Sequence, residues 1–338
     1  MGSELLIAVP VSAIAFLLMT GCRESRVEDV ENDNVDSHIS KDLLADSAGE
    51  AFDDVRIDSE FIRAFGRHGH GDVEFQGPFG VKIGPQGLVW VADDLDHRIK
   101  VFEPSGKFVR ALGRKGHDAG ELAWADALDF SPDGQLHIAD TGSNRIQVWT
   151  PAGDFVREYG RRRLNNPRDV VVHTDGLIYV ADFNGHRIQV FDDRGKQVRS
   201  IGRKGSKAGR LNGPIQIAFS PGGQLYVSEL YNHRIQVFDT DGRTLGSFGC
   251  RGTASGEFNS PHGLAFGPFG LLYVVDSRNH RIQTFIPAGR FVDVVGSGLQ
   301  LKDPTDLCFD AEGRLFVVDK GNHRIKVWQI SKVSTVRE

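Results

Sequence analysis

An acidic residue followed five positions later by Arg-Ile occurs six times along this chain: Asp93 with Arg98-Ile99, Asp140 with Arg145-Ile146, Asp182 with Arg187-Ile188, Glu229 with Arg234-Ile235, Asp276 with Arg281-Ile282 and Asp319 with Arg324-Ile325. Successive arginines lie 47, 42, 47, 47 and 43 residues apart. A unit of that length is too small to bury an apolar face alone, so copies must pack against one another. Each copy holds four short alternating runs, VKI, LVWVAD, RIKVF and FVRALG in the first, which read as strands. Gly87, Gly134, Gly176, Gly223, Gly270 and Gly313 close the first hairpins, and Gly106, Gly153, Gly195, Gly242 and Gly289 close the third. The excess of glycine, 40 in 338 residues, is spent on turns of this kind.

The second glycine series has five members because the sixth unit stops after its third strand, at Lys326-Val327-Trp328. The missing strand lies at the other end of the repeat region. Phe61-Ile62-Arg63-Ala64-Phe65-Gly66 copies Phe108-Val109-Arg110-Ala111-Leu112-Gly113, yet precedes the first complete unit. Pairing the two ends removes the open sheet edges that would otherwise invite aggregation. The expected fold is all-β: a six-bladed β-propeller of four-stranded antiparallel blades, with the N-terminal strand closing the last blade.

The pattern Asp-x-x-x-His-Arg-Ile-x-Val-Phe, preceded by Gly-x-Leu-Tyr-Val-x-Asp, resembles the NHL repeat over residues 57–330. The resemblance implies a propeller scaffold, and such scaffolds serve lyases, lactonases, sensors and adaptors alike.

The preceding residues read as an address and a tether. Residues 5–19, LLIAVPVSAIAFLLM, fall short of the roughly 20 apolar residues of a membrane-spanning helix and match a signal-peptide core. Met19-Thr20-Gly21-Cys22 resembles a bacterial lipobox, which implies lipidation at Cys22, although no Lys or Arg precedes the apolar run. The expected organisation is a signal peptide with lipobox at 1–22, an acidic tether at 23–56, the propeller at 57–330 and a tail at 331–338. Residues 23–58 carry twelve acids against four bases, a net of −8, which leaves residues 59–338 mildly basic within a chain of net −5. The location expected from these segments is the cell envelope, extracytoplasmic and lipid-anchored. With Cys22 lipidated, Cys250 and Cys308 are left two units apart, and no disulfide is expected.

The residues repeated in every unit read as structural. Chemistry needs one or two positions, whereas a residue required in each blade pins a loop or a neighbour. The same holds for His97, His186, His233, His280 and His323, whose slot is filled by Asn144 in the second unit. Function belongs where the copies differ. In a propeller the first strand of each blade lines the channel, and counting back from the hairpin glycines gives a mouth ring of Phe79, Asp126, Arg168, Ile215, His262 and Thr305. Gly80, Ala127, Asp169, Gln216, Gly263 and Asp306 follow behind it. Asp126, Arg168, Gln216 and His262, with Tyr231 in the neighbouring loop, form a candidate grip on a small polar ligand. The inter-blade loops on the same face carry Arg114, Lys115, Arg161, Arg162, Arg163, Arg203 and Lys204, which points to an anionic partner. The loops after Gly160 and Gly296 are shorter than the others, which would leave a shallow groove across that face.

Three functions are consistent with this pattern. The first is a tethered monomeric binding or scaffold module for a protein or an anionic glycan of the envelope. The second is a metal-dependent propeller enzyme. Ser260-Pro261-His262-Gly263-Leu264 resembles a metal segment of peptidyl-hydroxyglycine amidating lyases, and Tyr231 matches their tyrosine, but Phe79 and Arg168 stand where further zinc histidines would be, and neither can ligate zinc. A lactonase-type site would have only Asp126, Asp169 and Asp306 to draw on. The third is single-stranded RNA binding, against which stand the export segment and the shortage of stacking aromatics beyond Phe79 and Trp124. The sequence favours binding over catalysis, with no cofactor, no metal and no nucleic acid.

Overall fold

The computed structural model describes residues 55–295 and 301–333. Its strands form six four-stranded antiparallel sheets. The first sheet is β2 (Pro78–Ile83), β3 (Val89–Asp93), β4 (Arg98–Phe102) and β5 (Phe108–Leu112). Four more follow in strict chain order, opening with β6 (Ala125–Phe130), β10 (Pro167–Val172), β14 (Pro214–Phe219) and β18 (Pro261–Phe266). The sixth takes β22 (Leu307–Phe309), β23 (Arg314–Asp319) and β24 (Arg324–Lys332) from the end of the chain and β1 (Ile57–Phe65) from its beginning. β1 runs antiparallel to β24 from Ile57 opposite Lys332 to Phe65 opposite Ile325, with one bulge between Phe61 and Arg63. The expected closure is present, and it extends four residues upstream of the copied segment.

Each apolar core lies between two adjacent blades, so the ring has six of them. The one that seals the ring packs Phe75, Val81, Val91 and Phe102 of the first unit against Phe316, Val318, Ile325 and Val327 of the last. A large aromatic recurs at the fifth position of each third strand, Phe102, Trp149, Phe191, Phe238, Phe285 and Trp328, and every one is buried. The hairpin glycines adopt left-handed φ, 70° at Gly87 and 103° at Gly153, for example, where a side chain would be strained. Cys308 is free and buried. Cys250 is disulfide-bonded, which departs from the expectation of no disulfide.

The repeated acid and arginine build a lattice under the loop face. Asp140, for example, accepts the amide N–H of Ala123 in the loop from the previous blade (2.8 Å) and the Arg145 Nε–H (2.7 Å). Arg145 Nη2 then donates to the carbonyls of Asp118 and Glu121 in that same loop. The arrangement recurs at Asp182–Arg187, Glu229–Arg234, Asp276–Arg281 and Asp319–Arg324, with N···O distances of 2.9, 2.6, 2.8 and 2.7 Å. The first blade departs from the sixfold pattern. Lys100 stands where Gln147, Gln189, Gln236 and Gln283 stand in the next four blades; its buried ammonium pairs with Asp93 (3.0 Å) and Asp96 (2.9 Å), and Arg98 pairs with Asp96. A lysine reaches the carboxylate as a charge where glutamine offers only an amide.

The histidine slot is a second pin. All six residues are left-handed, with φ of 52° to 56°. The Nδ1 atoms of His186, His233 and His280 accept the amide N–H of Gly213, Ser260 and Asp303 in the next loop. Asn144 does the same for Asn166 through Oδ1, at 2.6 Å. Asparagine tolerates left-handed backbone and places an acceptor at a similar reach, which explains the one exception in the series.

Candidate functional site

The first strands are innermost, since each packs against the first strands of the neighbouring blades around the ring. Where they begin, a cavity of about 360 Å³ opens on the loop face. Five of the six expected mouth residues line it: Phe79, Asp126, Arg168, Ile215 and His262. The rest of its wall comes from elsewhere. Asp94, Leu95, Thr141, Phe183, Leu230 and Lys320 reach in from the connections between second and third strands, and Trp124 and Asn166 from the residues just before β6 and β10.

Two cations face one aromatic ring. The Arg168 guanidinium sits 5.5 Å from the Phe79 ring centre and 5.3 Å from that of Phe183, and Lys320 Nζ lies 4.5 Å from Phe79. Arg168 is anchored twice, by Nε to Asn166 Oδ1 (3.0 Å) and by Nη1 to Asp126 Oδ2 (2.6 Å). Lys320 pairs with Asp94 at 3.3 Å. Burial pushes the Asp126 carboxyl up to about 6 although Arg168 opposes it, and burial also raises Asp94 against the pull of Lys320. His262 is driven down to about 3 by burial, reinforced by Arg168, Lys320 and Arg278. It is therefore a neutral imidazole at pH 7, and its buried Nδ1 has no hydrogen-bond partner among the described residues.

Thr305 departs from the expected ring, and Gln216, counted to the tier behind it, stays there and does not line the cavity. Thr305 is buried, its Oγ1 donating to the Phe79 carbonyl at 2.7 Å. Gln216 lies one tier deeper, where its Nε2 donates to Asp306 Oδ1 at 2.7 Å. The carboxylates of that tier tie blade to blade. Asp306 accepts the Val81 amide (2.8 Å), and Asp169 the Ile217 amide (2.9 Å). Gly80 and Gly263 are needed there for close approach, because a Cβ would lie 2.3 Å from the Asp126 carbonyl oxygen or 2.7 Å from Asp306 Cα. Tyr231 stands on the rim, 55% exposed, with its ring 5.6 Å from Phe183.

The basic loops are partly neutralised. Arg114 pairs with Glu121 (3.1 Å), Arg161 with Glu158 (2.7 Å), and Arg163 donates to Gln197 (2.8 Å). Lys115, Arg162, Arg203 and Lys204 are exposed and have no acid partner among the described residues. The second short loop, residues 296–300, lies outside the described residues, as do Cys22 and the acidic segment up to residue 54.

A divalent metal does not fit the mouth. Its donors are His262, Asp126 and Asp94, the two acids are already paired with cations, and among the described residues no group of three or more His, Cys, Asp or Glu is placed to hold an ion.

The residues that sequence counting missed, Asp94, Leu95, Phe183, Leu230 and Lys320, occupy the slot after the repeated acid or its neighbour. That slot reads Asp94, Thr141, Phe183, Leu230, Ser277 and Lys320 and differs in every copy, which was the available signal.

The sequence matches the NHL repeat model at residues 164–191, 211–238, 258–285 and 301–328, the last four of the six units. Comparison with curated proteins finds no match. Among solved structures, a protein of unknown function from Bacteroides thetaiotaomicron is similar at 14% identity and TM-score 0.67, over 82% of this chain and 77% of that one. A gluconolactonase from Xanthomonas campestris is similar at 19% identity and TM-score 0.60 (83% and 91%). A catalytically inactive virginiamycin B lyase from Staphylococcus aureus with quinupristin is similar at 21% identity and TM-score 0.57 (83% and 90%). At these identities the likeness is one of fold.

Proposed function

We propose that this chain, an NHL-repeat six-bladed β-propeller, is a lipid-tethered, extracytoplasmic binding module that takes an anionic envelope ligand on its loop face. One observation carries the reading: the cations that lack acid partners among the described residues lie on the same face as the channel mouth. Lys115, Arg162, Arg203 and Lys204 supply long-range attraction, and the mouth supplies shape. The chain enters β1 at Ile57, at the end of the sheet away from the connection between β23 and β24. That entry point keeps the loop face clear for a ligand.

The test is retention of soluble acidic envelope polymers by the immobilised full chain at about 0.05 M and 0.5 M salt. The expected result is binding that falls at high salt and weakens when Lys115, Arg203 and Lys204 are changed together to Glu. Salt-independent retention, or none, refutes the reading. The tether has its own test: intact mass of the chain extracted from membranes, in which a lipid-sized addition at Cys22 supports the anchor and an unmodified Cys22 refutes it.

A second reading, catalysis at the mouth, is favoured by His262 alone. It is a neutral imidazole in a cavity that also holds Asp126 and Arg168, and its buried Nδ1 has no hydrogen-bond partner among the described residues. This reading extends to the lyase and lactonase chemistries of the similar folds. Turnover of a lactone or cyclic depsipeptide that vanishes in His262→Gln would establish it.

A further inference from the structure

We propose that the mouth recognises a flat apolar carboxylate, stacked on Trp124 and held by the free edge of Arg168; this deepens the binding reading above and rests on it.

The first observation is an imbalance of donors and acceptors. Arg168 uses Nε on Asn166 and Nη1 on Asp126, which leaves Nη2 without a partner among the described residues. Lys320 makes one ion pair and keeps further N–H donors. Of the carboxylate acceptors, Asp126 Oδ2 is committed to Arg168 and Asp94 Oδ2 to Lys320, while the Thr141 hydroxyl spends its hydrogen on the Pro167 carbonyl. Asp94 Oδ1 is buried against Gly77. A ligand that enters meets donors seeking an acceptor, and a guanidinium fixed at two of its nitrogens presents the third to a carboxylate with little entropy left to lose.

The second observation is strain at Trp124. This bulky residue has φ +80°, is 50% exposed and lines the cavity. The equivalent positions before β10, β14 and β18 hold Asn166, Gly213 and Ser260, residue types better suited to left-handed backbone. Gly142 clears the space behind it, since a Cβ there would lie 1.7 Å from the Ala123 carbonyl oxygen. A half-exposed indole held against its backbone preference gives no core packing in return, which marks it as a contact surface. With Phe79 and Phe183 it makes the mouth flat-walled and apolar, suited to a planar group.

Trp124 is also the reporter. The chain has four tryptophans, and Trp90, Trp149 and Trp328 are 1%, 1% and 0% exposed. Acrylamide quenching of the full chain therefore reads Trp124. The probes are 3-phenylpropanoate, its neutral amide, 3-phenylpropylammonium and glucuronate, with affinities from calorimetry. The carboxylate is expected to shield Trp124 and to bind about tenfold tighter than the amide, the worth of one charge-assisted contact. Arg168→Gln abolishes that preference while amide binding persists, and Arg168→Lys, which keeps the charge against Asp126 and protects the fold, reduces it. Trp124→Gly weakens carboxylate and amide alike. Equal or tighter binding of amide or ammonium overturns the proposal, as does shielding by glucuronate in place of 3-phenylpropanoate, or no shielding by any probe. These failures are distinct from that of the binding reading, which falls if the loop face retains no anionic polymer or retains it independently of salt.

Discussion

The acid–arginine lattice and the channel mouth are built on the same loops, one residue apart in sequence, yet they obey opposite rules. Asp140, Asp182, Glu229 and Asp276 are fully buried and spend their oxygens on the loop from the preceding blade. The next residues, Thr141, Phe183, Leu230 and Ser277, have no such duty, and three of them line the mouth. Repetition marks the positions that every blade needs for closure. Variation marks the positions that the ring can give to a ligand. A charged residue belongs to one class or the other by its partners: Arg145 is 0% exposed and holds four oxygen acceptors, whereas Arg168 is 26% exposed with a nitrogen to spare.

That contrast breaks first, and furthest, at the seam. Deleting residues 57–65 strips β24 of its partner and opens the sealing core, and it is expected to abolish cooperative unfolding in a denaturant titration; a sharp transition in the truncated chain would show that the ring does not depend on closure. Next in size, Arg145→Ala leaves Asp140 buried and uncompensated, at a cost of about 3–5 kcal/mol by equilibrium unfolding. Losses below about 1 kcal/mol would place it with ordinary surface pairs.

The histidine slot sharpens the distinction. His233→Ala removes the acceptor of the Ser260 amide and should cost about 1–3 kcal/mol, whereas His233→Asn, which copies Asn144, should stay within about 0.5 kcal/mol. A pH series checks the same group. Burial, with Arg251 adding to it, lowers His233 in the folded chain, so the unfolded chain binds its proton more readily. Its stabilising contribution is complete above about 6.5, the ordinary histidine value, and is lost as the pH falls below it. His262 has the same sign down to about 3, while Asp126, raised to about 6, has the opposite sign, favouring the fold below about 3.8 and losing that contribution as pH rises through 6. His233→Asn should flatten the acid limb of the stability curve measured by thermal unfolding at pH 4–7. The smallest effect is expected at the mouth: Trp124→Gly relieves the strained φ and should stabilise the chain by up to about 1 kcal/mol in the same titration, while weakening ligand binding. A destabilised variant would return Trp124 to the structural class.

Almost all of the architecture was legible in the sequence, for a definite reason. A blade cannot stand alone, so each unit repeats the same strand lengths, turn glycines and lattice residues, and six copies of one message leave no doubt about the period. The copy of the fourth strand at Phe61 announced the closure before β24 was seen to pair with β1. At the mouth, counting from the hairpin glycines placed Phe79, Asp126, Arg168, Ile215 and His262 correctly, because a strand's register carries each slot to the same height in every blade. The same count placed Thr305 on the ring and Gln216 behind it, but their side-chain directions are set by the Phe79 carbonyl and the Asp306 carboxylate on other blades, so neither lines the cavity.

The sequence by itself determined the ring, its six blades and the identity of the pinning residues, since these follow from local spacing multiplied by repetition. Only the tertiary structure decided which charges are free. Lys100 paired with Asp93 and Arg98 with Asp96, Glu121 and Glu158 took up Arg114 and Arg161, and Asp126 and Asn166 fixed Arg168 with one nitrogen left over. Pairing is a competition among groups brought together from distant units, and a ladder of like repeats carries no record of which contender stands nearest.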